Sequence, residues 1–80
     1  MKIQILGTGC PKCRTLTDNV YKALQDAGVT AEVEKVEDIK EIMKFNIMIT
    51  PGLAIDGEVV SAGKVLTPAD IVTLITSRLA

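Results

Sequence analysis

Cys10 and Cys13 are the residues of this chain whose type and spacing point most directly to chemistry. They lie three positions apart, in a segment that reads GTGCPKC over residues 7–13. A cysteine thiolate is both a nucleophile and a soft metal ligand. The pair could therefore exchange disulfides, bind a metal ion, or only fill space in a core, and the choice depends on the elements that position it.

The pair lies where a strand gives way to a helix. Residues 2–6 alternate between polar and apolar side chains and end with two apolar ones, which predicts a strand entering a core. The glycines of residues 7–9 end this strand. Pro11 suits the first turn of a helix and Gly28 its end, so a helix is predicted from about Pro11 to Ala27 with Cys10 at the N-cap. The residues that recur at helical spacing on it are Cys13, Leu16, Val20, Leu24 and Ala27.

The rest of the chain predicts two strands joined by a tight turn, two further helices and one more strand. Residues 30–36 are predicted to form a strand with one solvent-exposed face. Glu37-Asp38 then begins a short helix that ends near Asn46. Asp56-Gly57 lies between the strand-like runs 53–55 and 59–60, which is typical of a type I′ hairpin. Thr67-Pro68-Ala69-Asp70 then reads as the start of a closing helix. Its apolar stripe consists of Ile71, Leu74, Ile75 and Leu79.

These elements predict one α/β domain over residues 1–80, with the order βαβαββα. A four-stranded mixed sheet with helices on both faces buries every apolar stripe and keeps the crossover right-handed. Hydrophobic residues make up 48% of the chain, yet it has one Phe, one Tyr and no Trp. The core is therefore expected to be aliphatic.

Composition also excludes several classes of function. The formal net charge is −1, and no basic face is apparent. The aromatic surfaces on which nucleic-acid bases stack are also missing, so no nucleic acid is expected as a partner. No apolar run is long enough for a signal peptide or a membrane span, which predicts a cytoplasmic protein that binds no membrane. The chain has no histidine, which excludes Ser–His or Cys–His catalysis and mixed Cys/His zinc sites.

A redox pair is the chemistry that this placement favours. At the N-cap, Cys10 would be exposed to unpaired N–H groups and the positive end of the helix dipole, and Lys12 adds positive charge, all of which favour a thiolate. Cys13 follows one helical turn later and underneath. We therefore predict that Cys10 is the nucleophile and Cys13 the resolving thiol. The chemistry needs no cofactor beyond the Cys10–Cys13 disulfide itself.

Two alternatives remain open for the same pair. A metal-binding or metallochaperone module could hold Cu(I) with two thiolates. Heavy-metal-associated domains carry Met two positions before the first cysteine, where this chain has Thr8, and they end on a strand rather than a helix. No third or fourth Cys or His is present for a closed zinc site, so no metal site is predicted. The other alternative is two buried cysteines without a chemical role.

Thr50-Pro51 is the second informative pair, because a proline before a hairpin strand must lie at a strand start or a kink. Together, a strand, Cys10-Pro11-Lys12-Cys13 opening a helix, and Thr50-Pro51 some forty residues later resemble the thioredoxin-like superfamily. The most similar branch is that of the small glutaredoxin-like or thioredoxin-like redox-active disulfide proteins of archaea and bacteria. The resemblance covers essentially the whole chain.

The resemblance implies a thioredoxin fold and a thiol–disulfide oxidoreductase, an electron carrier of cell redox homeostasis. It implies that Pro51 is cis and faces the cysteine pair, and that the backbone of Thr50 pairs with substrate as a β-strand would. Pro11 and Lys12, between the thiols, complete the predicted substrate-binding set. Residues 61–63 would form a third loop at the site, with a simple bulge at Gly63 as the alternative.

Some residues of this chain differ from the family pattern, and these differences indicate which substrates and electron donors to expect. Gly9 stands where thioredoxins proper have Trp, no aromatic residue is near the motif, and Ala62-Gly63 replaces a glutathione-binding segment. These departures count against glutathione and favour protein disulfides, with re-reduction by a thioredoxin-reductase-like donor. The acidic residues of the middle of the chain are expected on a solvated face: Glu32, Glu34, Glu37, Asp38 and Glu41. In some relatives a carboxylate at a buried strand position assists proton transfer from the resolving cysteine, and this chain has no clear counterpart of it. The proton of Cys13 would therefore pass directly to water.

Overall fold

Seven elements follow one another in the predicted order βαβαββα. The computed structural model describes residues 1–9, 11–47 and 49–79, the last without its side chain. The elements are β1 (Lys2–Leu6), α1 (Pro11–Ala27), β2 (Glu32–Val36), α2 (Ile39–Met43), β3 (Gly52–Ile55), β4 (Glu58–Ala62) and α3 (Pro68–Leu79). The predicted bounds of α1 are confirmed.

The four strands form one mixed sheet in the order β2-β1-β3-β4. β1 and β2 run parallel, from the pair Lys2–Glu32 to the pair Leu6–Val36, and α1 is the crossover between them. β1 is antiparallel to β3, which is antiparallel to β4. Because β1 is central and parallel to β2, the carboxyl ends of these two strands reach the same edge of the sheet.

Helices cover both faces of the sheet, as predicted. On one face, α1 and α3 pack on the larger core, which consists of Ile3, Ile5, Leu16, Val20, Ala23, Leu24, Leu53, Ile55, Ile71 and Ile75. On the other face, α2 contributes Ile42 to a smaller core with Leu6, Val36 and Ala54. Both sets are aliphatic, so burial of branched and straight-chain side chains drives the folding of this domain.

The element ends follow the local chemistry that the sequence indicates. Gly28, at φ 66°, ends α1: its N–H donates to Gln25 O and that of Val29 to Leu24 O, the pattern of a Schellman motif. At α3, Asp70 N donates to Thr67 Oγ1 at 3.2 Å and Thr67 N to the Asp70 carboxylate at 3.4 Å, which makes a capping box. Asp56 and Gly57 have φ of 51° and 85°, as a type I′ turn requires.

Three details differ from the sequence predictions. β2 begins at Glu32, two residues later than predicted, because its ladder with β1 starts at Lys2. α2 ends at Met43, and hydrogen-bonded turns continue the chain to Asn46, which has the predicted positive φ of 58°. The β3–β4 register shifts between Leu53 and Ala54, which leaves Val60 as the extra residue, so the bulge is not at Gly63.

Within residues 1–9, 11–47 and 49–79, no helix combines the length and the apolar character needed to cross a bilayer.

Candidate functional site

Cys13 lies in the first turn of α1 and points into the protein. Its side chain is only 5% exposed, and Leu16 and Val20, on the same stripe, are fully buried. The Thr17 hydroxyl donates a hydrogen bond of 2.8 Å to the Cys13 carbonyl oxygen, one turn along the same helix. The structure thus places the Cys13 side chain underneath the start of the helix, as the sequence predicted.

Gly7 lets the sulfur of Cys13 approach the end of β1. A Cβ atom built on Gly7 would collide with Cys13 Sγ, and it would lie 3.9 Å from Thr50 Cβ. The N–H of Gly7 donates to Val36 O at 2.9 Å, which extends the β1–β2 ladder by one residue. Cys13 and Thr50 therefore both lie beside Gly7, and the structure brings these two predicted site residues together.

Cys10 lies outside the described residues, so its place at the N-cap and its role as nucleophile stay predictions. Pro11 and Lys12 are both exposed, as is Arg14. Two cationic side chains therefore lie in the first turn of α1, whose N–H groups carry the positive end of the helix dipole. This environment favours an anion, and hence a thiolate, at the start of the helix.

The Thr50–Pro51 peptide bond is cis, as the resemblance implies. Pro51 is fully buried, and its carbonyl oxygen accepts a hydrogen bond of 2.8 Å from Gly63 N–H. Ile49 is 63% exposed, and a Cβ on Gly63 would lie 2.8 Å from its Cγ2. Residue 63 therefore adjoins the loop that carries Thr50. Thr50 and Ile49 are exposed on this loop, whereas the ring of Pro51 is buried.

Thr50 is exposed, and its backbone groups form no hydrogen bond with the described residues. The β1–β3 ladder stops at the pair Leu6–Gly52, two residues later. No hydrogen bond among the described residues uses the Thr50 N–H or carbonyl. Because a backbone donor and acceptor gain free energy when they pair, Thr50 can pair with an added strand.

An apolar groove adjoins Thr50. It has a volume of about 390 Å³ and is lined by Thr8, Ile39, Ile42, Met43, Ile47 and Thr50. Ile39 and Met43 are 62% and 65% exposed, although both are large and hydrophobic. Met48 lies outside the described residues and Pro51 is buried, so α2 supplies much of the apolar surface beside Thr50.

A second, polar cavity reaches Cys13 from another side. It has a volume of about 200 Å³ and is lined by Ile5, Gly7, Gly9, Cys13, Arg14, Thr17, Lys35 and Glu37. None of its lining residues belongs to the apolar groove. Glu37 is exposed, as the sequence predicted, and its Oε2 lies 4.0 Å from the position of a Cβ on Gly9.

One sequence signal could have found Glu37 and Lys35. Two parallel neighbouring strands end at the same edge of a sheet, so residues just after one strand lie beside those just after the other. Gly7 and Gly9 follow the first strand and Glu37 the second, with Lys35 two residues earlier. The parallel pairing of these strands was implicit in the predicted topology.

The part of the chain that the structure describes holds no group of three or more Cys, Asp or Glu side chains arranged to hold a metal ion. With one of the two cysteines outside that part, the two-thiolate alternative is neither supported nor contradicted.

Known proteins resemble this chain in sequence over most of its length. A family model described as a thioredoxin domain matches residues 1–76. The chain belongs to the thioredoxin-domain family. A thioredoxin of Methanothermobacter thermautotrophicus is 41% identical over 71 residues, which are 89% of this chain and 92% of that protein. A thioredoxin of Methanocaldococcus jannaschii is 44% identical over 69 residues, which are 86% of this chain and 79% of that protein. The predicted superfamily and the thioredoxin fold are confirmed.

Proposed function

We propose that this member of the thioredoxin-domain family is a cytoplasmic thiol–disulfide oxidoreductase that reduces protein disulfides through Cys10 and Cys13. The observation that carries the proposal is the position of Cys13. Its buried sulfur, in the first turn of α1, lies against Gly7, and Thr50 lies near the same glycine. A substrate strand beside Thr50 would therefore lie close to the start of α1, where Cys10 occurs in the sequence.

The reaction proceeds in two exchanges. The Cys10 thiolate attacks one sulfur of a substrate disulfide, which forms a mixed disulfide and releases the other substrate sulfur as a thiolate. Cys13 then loses its proton and attacks Cys10 Sγ, which forms the Cys10–Cys13 disulfide and releases the second substrate thiolate. Two electrons have passed from the cysteine pair to the substrate, and both released thiolates take up protons from water. A thioredoxin-reductase-like donor returns the two electrons.

The surroundings of Thr50 support a protein substrate. Its N–H and carbonyl group have no hydrogen-bond partner among the described residues, so an extended peptide can pair with them. The neighbouring groove offers apolar surface for a side chain of that peptide. Such a groove suits a folded protein better than it suits glutathione, whose two carboxylates call for charged partners.

The proposal is tested by counting thiols during a redox titration. The metal-free protein is equilibrated in dithiol buffers of graded potential, its remaining thiols are alkylated, and mass spectrometry counts them. We expect a single two-electron transition between Cys10 and Cys13. In Cys13→Ser the resolving thiol is missing, so a mixed disulfide with a protein substrate should accumulate, whereas Cys10→Ser should form none.

The opposite outcome would be a wild-type protein that forms no intramolecular disulfide in any buffer. If such a protein also retained Cu(I) or Zn(II) on purification, with both thiolates required, the metal-binding alternative would replace the redox function. Tyr21→Phe is the control variant, because Tyr21 is 54% exposed in the middle of α1 and lines neither cavity.

A further inference from the structure

The two ends of the sheet carry charge of opposite sign. At the edge beside Cys13 and Thr50, β1, β2 and β4 end and β3 begins. The segments at this edge, which we call the site end, are residues 7–14, 35–51 and 62–66. They hold six cationic and three acidic side chains, a net charge of +3. The rest of the chain holds three cationic and seven acidic side chains, a net charge of −4.

Most cations of the site end differ from the others in having no acidic partner. Elsewhere in the described part of the chain, two of the three cations, Lys2 and Arg78, form ion pairs with glutamates. At the site end, Lys44 forms one with Glu41. The ion pairs among the described residues include none of the other five site-end cations, all of them exposed: Lys12, Arg14, Lys35, Lys40 and Lys64.

The three acidic residues of the site end have contacts within the chain. Glu41 forms the ion pair with Lys44, and Asp38 accepts a hydrogen bond of 2.8 Å from the backbone at the start of α2. Glu37 lines the polar cavity together with two of the five cations. Because the acidic residues are fewer than the cations, the site end keeps its positive charge for an external partner.

Exposed apolar side chains lie at the same end. Ile39, Met43 and Ile49 are 62%, 65% and 63% exposed, and the first two line the groove beside Thr50. A surface that is both cationic and aliphatic complements a protein surface that carries acidic and apolar side chains. We propose that the site end docks on acidic protein surfaces, so that the substrates are disulfides flanked by Asp and Glu. This inference rests on the proposed function and names the class of its substrates.

The charge distribution also orients the approach of such a partner. An acidic surface attracts the site end and repels the negative remainder of the molecule, so encounters begin with the site end facing the partner. Along the sequence the five cations are dispersed over residues 12–64, and no basic segment results. They reach one end because all four strands place a terminus at the same edge of the sheet.

The test compares two cyclic peptides that differ only in charge. Each contains one disulfide in the same apolar sequence, flanked by Glu in one peptide and by Lys in the other. The rate constant for reduction by the reduced protein is divided by that for dithiothreitol, which corrects for the intrinsic reactivity of each disulfide. At low ionic strength we expect the Glu peptide to react at least about tenfold faster, the lower end of electrostatic steering. In 1 M salt, where the Debye length is about 3 Å, the ratio should fall to about twofold or less.

Charge-reversal variants show whether the site end is responsible. Lys40→Glu and Lys64→Glu should each lower the preference for the Glu peptide by about two- to fivefold, the contribution of one exposed ion pair. Lys22→Glu makes the same change of net charge at an exposed position of α1, about 15 Å along the helix from Lys12. This control should keep the wild-type preference.

Failure of this inference can be distinguished from failure of the proposed function. Equal corrected rates for the two peptides at low ionic strength would overturn the docking on acidic surfaces, while the reduction of both peptides would still support disulfide exchange. A preference lowered as much by Lys22→Glu as by Lys40→Glu would also overturn it, because net charge rather than the site end would then be responsible. A wild-type protein that reduced neither peptide would overturn both.

Discussion

At Gly7, the backbone that follows β1 lies directly against the side chain of Cys13, a predicted site residue. The strand end passes so near Cys13 that no side chain fits between them, and the same position lies beside Thr50. Any residue with a Cβ must therefore displace either the sulfur or the backbone of the strand. A glycine is required here for space rather than for its backbone freedom.

Gly7→Ala is expected to destabilise the protein by about 1–3 kcal/mol, the usual cost of overpacking a close-packed core. Chemical denaturation of the reduced protein measures this change. The sulfur is the atom that the new methyl group meets first. Gly7→Ala made in a Cys13→Ala background should therefore cost clearly less than it costs in wild type. Equal costs in the two backgrounds would show that the sulfur is not the obstacle.

At the scale of elements, the first two strands carry the site at one end and an ion pair at the other. Lys2 Nζ lies 3.1 Å from the Glu34 carboxylate, and Gln4 Nε2 donates to Glu34 at 3.3 Å. The hydrogen bond from Lys2 lowers the pKa of Glu34, and Gln4 and the charge of Lys2 act in the same direction. The hydrogen bond to Glu34 raises the pKa of Lys2. These contacts join β1 to β2.

These pKa shifts predict how stability depends on pH. The lowered pKa of Glu34 means that its contribution is present above the pKa it has in the unfolded chain and is lost as pH falls through the folded value. The raised pKa of Lys2 means that its contribution is present below the unfolded pKa and is lost as pH rises through the folded one. Both side chains are 43% exposed, so the effects are small.

Glu34→Gln is therefore expected to lower the melting temperature slightly at neutral pH and to reduce the further loss on acidification. Thermal unfolding followed by circular dichroism at neutral and at acid pH measures both effects. Asp18→Asn is the control, because Asp18 is an exposed carboxylate of α1 that forms none of the ion pairs among the described residues. If Glu34→Gln and wild type lost the same stability in acid, the ion pair would contribute nothing to β1–β2 pairing.

At the scale of the whole molecule, α3 closes the larger core although it carries none of the predicted site residues. Ile71 and Ile75 are fully buried against α1 and the sheet, and Asn19 of α1 donates to Leu66 O just before α3. In a folded chain of only 80 residues the balance of burial over chain entropy is small. Loss of a few contacts of α3 therefore affects the stability of the entire domain.

Ile75→Val is expected to destabilise the protein by about 0.5–1.5 kcal/mol, because it removes one buried methylene-sized group and leaves a small void. Urea denaturation measures this as a lower midpoint with an unchanged slope. The same substitution at Ile39, which is 62% exposed, should change stability by less than about 0.5 kcal/mol. Equal effects at the two positions would contradict the assignment of α3 to the core.

The sequence by itself determined the elements whose signals are local. Pro11 and Gly28 bound α1, Asp56-Gly57 makes the hairpin turn, and Thr67 caps α3, because each depends on the conformational preferences of a few adjacent residues. The apolar stripe of α1 likewise predicted that Cys13 would be buried. The mixed sheet followed from the order of these elements, and the resemblance to the superfamily from the Cys10–Cys13 motif and Thr50-Pro51 within that order.

Only the tertiary structure decided which distant residues surround Cys13. Glu37 and Lys35 line its cavity because β2 lies parallel to β1 and ends at the same edge, and nothing in their own neighbourhood distinguishes them from other surface charges. The burial of Pro51 likewise depends on how β3 and β4 pack around its loop. Local preferences select the helices, strands and turns, whereas contacts between residues far apart in the chain form only when those elements pack.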